Sequence, residues 1–233
     1  MVLGKNKGHR YEDDIFELLE KMGLLYPGTT SDGMAGGVDA VFCHFGKPHN
    51  LEVKNGLQAD YGQKKFKWSK ENGWDWSEHS DVTGSSFYLK ALKFVQSRNI
   101  TPRRYTIPKD KITVEDGKAD QREFEYTEFE IEASALWSYY AEKDIHYIQV
   151  GDGYGFYHLD KDVAKLGTAH FDCNFILRFR GKYHDTVDRQ GGTLAPTPWN
   201  YSFFAVLKVN GKPKRSRFNL EPSEDQEFPP IKP

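Results

Sequence analysis

Residues 38–54 read VDAVFCHFGKPHNLEVK, two apolar-alternating runs joined by turn residues. Successive side chains of a strand leave on opposite sides, so Val38, Ala40 and Phe42 share one face and Asp39, Val41 and Cys43 the other. In the second run Leu51 and Val53 point towards a core, while Glu52 and Lys54 leave together on the opposite face. The turn residues predict a hairpin centred near Phe45–Gly46. That register sets Asp39 across from Glu52, and a slip of one residue would flip one strand.

Upstream, Tyr11, Ile15, Leu18, Leu19 and Met22 recur at helical spacing, predicting a helix over 8–22 that Gly23 closes. YPGTTSDGMAGG (26–37) is a loop leading into the first strand. Downstream, the basic stretch GLQADYGQKKFKWSKENG (56–73) reads as helical, and SSFYLKALKFVQSRN (85–99) as a second helix. From about Tyr105 the pattern turns β-like. YTEFEIEA (126–133) alternates, as do HYIQV and YGFYHL on either side of the turn GDG (151–153). FILRFRGKY (175–183) and YSFFAVLKV (201–209) continue the series, and Asn210-Gly211 is a hairpin signal after the last of them.

The 233 residues are 38% hydrophobic and 15% aromatic, enough large apolar area to exclude global disorder. No run approaches the roughly 18 apolar residues of a membrane span. MVLGKNKGHRYEDD lacks the apolar core of a signal peptide, and two cysteines make no disulfide framework, so a cytoplasmic, reducing setting is expected. The net charge of −2 hides blocks of opposite sign. Residues 203–218 carry five basic residues and no acid, residues 60–104 nine against five acids, and residues 110–145 four against eleven. Basic blocks suit a phosphate-facing surface; a solvated surface is the plain alternative.

The chemistry lies in Asp39, Glu52 and Lys54. Two carboxylates and the backbone carbonyl of Val53 are hard oxygen donors suited to Mg²⁺. A lysine beside such an ion can orient the attacking water or offset charge on a phosphate. The competing reading is a hairpin face whose charges merely meet solvent.

Glu12 in GHRYEDDIFELLEKMG, Asp39 in GGVDAVF and Glu52 with Lys54 in LEVKNG follow one another in an order that resembles the PD-(D/E)XK nuclease superfamily. The resemblance covers about residues 8–70, and Val38 stands where that family nominally has proline. It implies that Asp39, Glu52 and the Val53 carbonyl hold the metal, that Lys54 assists the nucleophile, and that Glu12 is an accessory ligand. The implied fold is α/β, with a restriction-endonuclease-like core over 1–104 of helix, mixed sheet with catalytic hairpin, and helix. A β-rich extension over 105–218 would complete the sheet or form a recognition or dimerisation part. Residues 219–233, acidic and rich in proline, read as a loose tail.

The implied activity is an endodeoxyribonuclease, restriction-type or structure-specific, using Mg²⁺ with Mn²⁺ as a substitute and acting as a homodimer. A Holliday-junction resolvase is the alternative within that class, and a non-catalytic nucleic-acid-binding module the alternative outside it. Candidate DNA contacts are Gln63, Lys64 and Lys65 on the expected helix, and Lys212, Lys214, Arg215 and Arg217 around the last turn. The latter four could instead pair with Glu221, Glu224, Asp225 and Glu227. Ser31 and Asp32 could touch DNA or form a plain turn. Trp68, Trp74 and Trp76 read as core anchors rather than base-stacking platforms, His44, His49 and His79 as surface residues, and Cys43 as a small buried hydrophobe.

Overall fold

The computed structural model describes residues 7–29, 38–80, 82, 85–183 and 197–233. Helix α1 (Lys7–Lys21) precedes a hairpin of β1 (Ala40–His44) and β2 (Lys47–Lys54), then β3 (Gly62–Ser69) and β4 (Gly73–Trp76). Three helices follow, α2 (Ser86–Ser97), α3 (Arg103–Thr106) and α4 (Val114–Phe124), then β5 (Tyr126–Ile131) and α5 (Ala133–Ala141). The chain ends its regular structure with β6 (Ile145–Val150), β7 (Gly155–His158), β8 (Ala169–His170), β9 (Asn174–Tyr183) and β10 (Tyr201–Asn210). The fold is mixed α/β. Among the described residues no helix is long and apolar enough to cross a membrane.

The chain forms two compact units, neither of them a continuous stretch. The hairpin unit holds the described residues of Gly4–Ala59 with Glu132–Asn174 and Val209–Pro233. Its sheet runs β1-β2-β6-β7-β8 and is mixed: β2 pairs antiparallel with β1 and parallel with β6. Ile15 and Leu19 of α1 pack on Ala40, Phe42, Leu51 and Val53 of the hairpin and on Tyr147 and Phe156 beyond it. Ala40, Phe42, Leu51 and Val53 share the core face that the alternation predicts, and the opposite face is covered as well, with Val41 and Glu52 buried.

The aromatic unit holds the described residues of Asp60–Ile131 and Phe175–Lys208, with a sheet ordered β4-β3-β10-β9-β5. Phe66 anchors its core, stacked on Trp76 at 4.0 Å and edge-on to Phe124 at 5.7 Å. Trp74 meets Phe124 and Phe203 in the same cluster, so both buried tryptophans are core anchors. Asp120, fully buried, accepts from the backbone amides of Arg103 and Arg104 and from Tyr201 Oη, tying α3, α4 and β10 together.

Five expectations change. Residues 62–69 form a strand, not a helix: Phe66 alone faces the core fully, and Gly62 to Phe66 pair with Leu207 to Phe203 of β10. The region after Tyr105 is not simply β-rich, since α3, α4 and α5 interrupt it; α4 opens on a capping box of Thr113 and Asp116. Asn210-Gly211 ends β10 without starting another strand. Residues 219–233 are no loose tail. Leu220 and Ile231 enter the hairpin unit's core, and the Lys232 backbone both donates to His44 Nδ1 and accepts from the Phe45 amide. The histidine expectation changes with it. His44 is buried, and His49 is half-buried and stacked on Phe42.

Candidate active site

The β1–β2 register pairs Ala40 with Leu51 and His44 with Lys47, leaving Phe45 and Gly46 as a two-residue turn. Both turn residues have positive φ, 48° and 72°, the geometry of a tight turn whose twist matches the strands it joins. Asp39 lies one residue before β1. Its carboxylate accepts the Val53 amide at 2.8 Å, as a ladder carbonyl would. The side chain is thereby fixed beside β2, on the face that Glu52 and Lys54 share.

Three charges meet there. Lys54 Nζ lies 2.6 Å from Glu52 Oε1 and 3.4 Å from Asp39 Oδ2, and the three side chains are only 10–20% exposed. This is a half-enclosed cluster, not a solvated hairpin face. Burial pushes the Glu52 carboxyl above its ordinary range; Lys54 opposes that shift and the Asp39 charge adds to it. Burial alone would lower the Lys54 ammonium, but the Glu52 and Asp39 carboxylates outweigh it and hold the lysine charged. Two carboxyl groups and one ammonium thus share the cluster.

Glu12 faces this group from α1, near enough for its charge to act on Lys54, and its carboxylate lies 3.1 Å from His9 Nδ1. The charge of Lys143, just past α5, reaches Glu52. Sequence reasoning passed over Lys143, and also Gln149, which pairs with Val53 across the sheet. Gln149 is fully buried. Its Nε2 donates to Tyr11 Oη at 3.0 Å and to Asn219 Oδ1 at 2.7 Å, and its Oε1 accepts the Leu220 amide. It therefore ties the residue before Glu12 to the strand beside the cluster. A glutamine between Ile148 and Val150 in the strand IHYIQV was the one available signal.

The other candidate residues lie elsewhere. Gln63, Lys64 and Lys65 belong to β3 in the aromatic unit, where Gln63 Oε1 accepts from Arg180 and Lys64 lies over the Tyr88 ring. Arg215 pairs with Asp225 at 3.0 Å and donates to the Gly153 carbonyl, and Arg217 pairs with Glu227 at 2.8 Å. Lys212 and Lys214 are exposed. Ser31 and Asp32 lie outside the described residues.

Among the described residues no group of three or more His, Cys, Asp or Glu side chains converges as a metal site. Asp39 and Glu52 still suit a hard divalent cation, because Mg²⁺ is commonly bound through one or two carboxylates and completes its shell with water and phosphate oxygens. A bound cation would displace the Glu52 proton and stabilise both carboxyls as anions. Comparisons with protein-family models, with curated proteins and with solved structures returned no match.

Proposed function

We propose that the protein is a Mg²⁺-dependent endodeoxyribonuclease of the PD-(D/E)XK type, with Asp39, Glu52, Lys54 and Glu12 as its site. One observation carries this reading: the hairpin register brings Asp39, Glu52 and Lys54 within hydrogen-bond reach in a half-enclosed cluster. Asp39, Glu52 and the Val53 carbonyl would hold the ion, which would supply a polarised phosphate oxygen and an acidified water. Lys54, an ammonium with three donors, orients the incoming water and offsets negative charge gathering on the phosphate. Its pairing with both carboxylates keeps it charged and confines it to one position. Glu12 adds negative charge at the rim, and Gln149 holds Tyr11, the neighbouring residue, in place. Water adds to phosphorus and the bridging oxygen leaves, giving a phosphate on one end and a hydroxyl on the other.

The same contact favours a second reading, a binding module in which Lys54 simply neutralises two buried acids. Incubating supercoiled plasmid with the protein in Mg²⁺, Mn²⁺ or EDTA separates the two. Nicking in either metal and none in EDTA is expected, and binding without cleavage in every buffer would leave only the module. Cutting both strands would call for two copies, so sedimentation with and without duplex DNA should show a dimer.

A further inference from the structure

The aromatic unit carries a cleft of about 460 Å³, within the roughly 300–1,000 Å³ range of small-ligand sites. All its lining residues come from Trp68–Trp74 and Gln96–Thr101, the β3–β4 turn and the end of α2. The walls combine the indoles of Trp68 and Trp74 with the carboxamides of Asn72, Gln96 and Asn99. Three groups are already committed to the fold: Trp74 Nε1 donates to the Ile100 carbonyl, Gln96 Nε2 to the Trp74 carbonyl, and Asn99 Nδ2 to the Ser97 carbonyl. These bonds fix the cleft's shape and leave the Gln96 side-chain oxygen as an acceptor. Asn72 is exposed on its turn.

A second feature adjoins the cleft. Trp68, only half-buried, lies against the Tyr105 ring at 5.7 Å with 30° between planes. Tyr105 is itself 38% exposed, unusual for a large ring in this unit, and the Arg104 guanidinium sits over it at 5.3 Å. Indole, phenol and guanidinium thus follow one another outward from Trp68, and the guanidinium also lies over the Tyr201 ring at 5.5 Å and donates to Ser202. An aromatic platform gives a nucleobase a stacking face, carboxamides present paired donors and acceptors to a base edge, and an arginine beside them meets the phosphate. An apolar metabolite would use the indoles and leave the amides and the guanidinium idle.

We propose that this cleft takes one unpaired nucleobase of a DNA strand, stacked at Trp68 with its edge towards Asn72, Gln96 and Asn99 and its phosphate near Arg104. The inference deepens the nuclease reading by naming single-stranded or locally opened DNA as what the protein grips. Its test needs no cleavage. A 12-nucleotide single strand carrying 2-aminopurine is titrated with full-length protein in EDTA. Binding should quench the base, and Trp68→Ala should weaken affinity about tenfold, the loss of one base–aromatic stack. Trp68→Phe should restore most of it, and Asn72→Ala, which removes no packing, should weaken binding about threefold or more. Unchanged affinity in Trp68→Ala and Asn72→Ala, or no binding of the strand by the wild type, overturns the proposal. Strand binding that follows this pattern in a protein unable to nick plasmid in Mg²⁺ would leave the cleft standing and remove only the nuclease reading.

Discussion

Glu52 carries the clearest residue-level consequence of the cluster. Its environment as a whole disfavours the anion, since burial and Asp39 together outweigh Lys54. The folded protein therefore holds a proton on Glu52 above the ordinary value of 4.5, where the unfolded chain has released it. Stability without metal should fall as pH rises from that value through the raised one. Glu52→Gln should flatten this slope and raise the melting temperature in EDTA at pH 7.5 by about 2–4 °C, roughly 1 kcal/mol. It should also abolish the stabilisation that added Mg²⁺ gives the wild type. A mutant still stabilised by Mg²⁺ would remove Glu52 from the metal set. Lys54 has the opposite sign: its raised value keeps its contribution intact below 10.5 and loses it only in stronger alkali. Lys54→Ala should lower nicking about 10²–10³-fold. Because the lysine is buried between two acids, the variant should also lose about 3–5 kcal/mol in urea at pH 8 and regain part of it at pH 5, as Glu52 takes up its proton. Plasmid nicking at the wild-type rate would end its role in the reaction.

At the scale of elements, the hairpin rests on a turn that a side chain can disturb without touching anything. Gly46 has φ +72°, and a methyl group placed there would meet nothing within 4 Å. Gly46→Ala should thus cost about 1 kcal/mol through backbone strain alone, and Gly46→Asn less, as read from urea unfolding. Equal stability of all three would show that the turn can relax. The hairpin was legible in advance because its information is local: alternation fixes the faces, and turn chemistry at Phe45–Gly46 fixes the register. The cluster of Asp39, Glu52 and Lys54 follows from that register. β3 was not legible in the same way. Lysines at 64, 65 and 67 suit a helix surface, and what makes the segment a strand is its pairing with β10, more than a hundred residues later. The parallel β2–β6 pairing that brings Gln149 to the site joins residues 96 positions apart and is equally silent in local pattern. Asp120 was hidden in an acidic block that reads as surface, whereas its carboxylate binds two backbone amides and Tyr201 with no exposure at all.

At the scale of the molecule, composition misled where a few side chains decide. Residues 219–233 are poor in apolar residues, yet Leu220 and Ile231 are buried and Asn219 completes the Gln149 network. Ending the chain at Arg217 should therefore destroy the cooperative melt of the hairpin unit, as followed by near-ultraviolet circular dichroism, although no proposed site residue is lost. The same segment changes the expectation for DNA contacts. Arg215 and Arg217 already face Asp225 and Glu227 in exposed pairs that solvent and salt screen. Such pairs add no net positive charge to the surface, whereas Lys212 and Lys214 lie exposed before them. Each phosphate neutralised releases close to one counterion, so replacing both lysines with alanine should lower the slope of log K against log[salt] by about two. Replacing both arginines should leave that slope nearly unchanged, because their charges already face Asp225 and Glu227 and not a phosphate. Duplex binding measured by anisotropy from 50 to 200 mM salt distinguishes the outcomes. A slope that falls equally in the arginine variant would mean that DNA opens both ion pairs, and the basic segment would then act as one phosphate-binding surface.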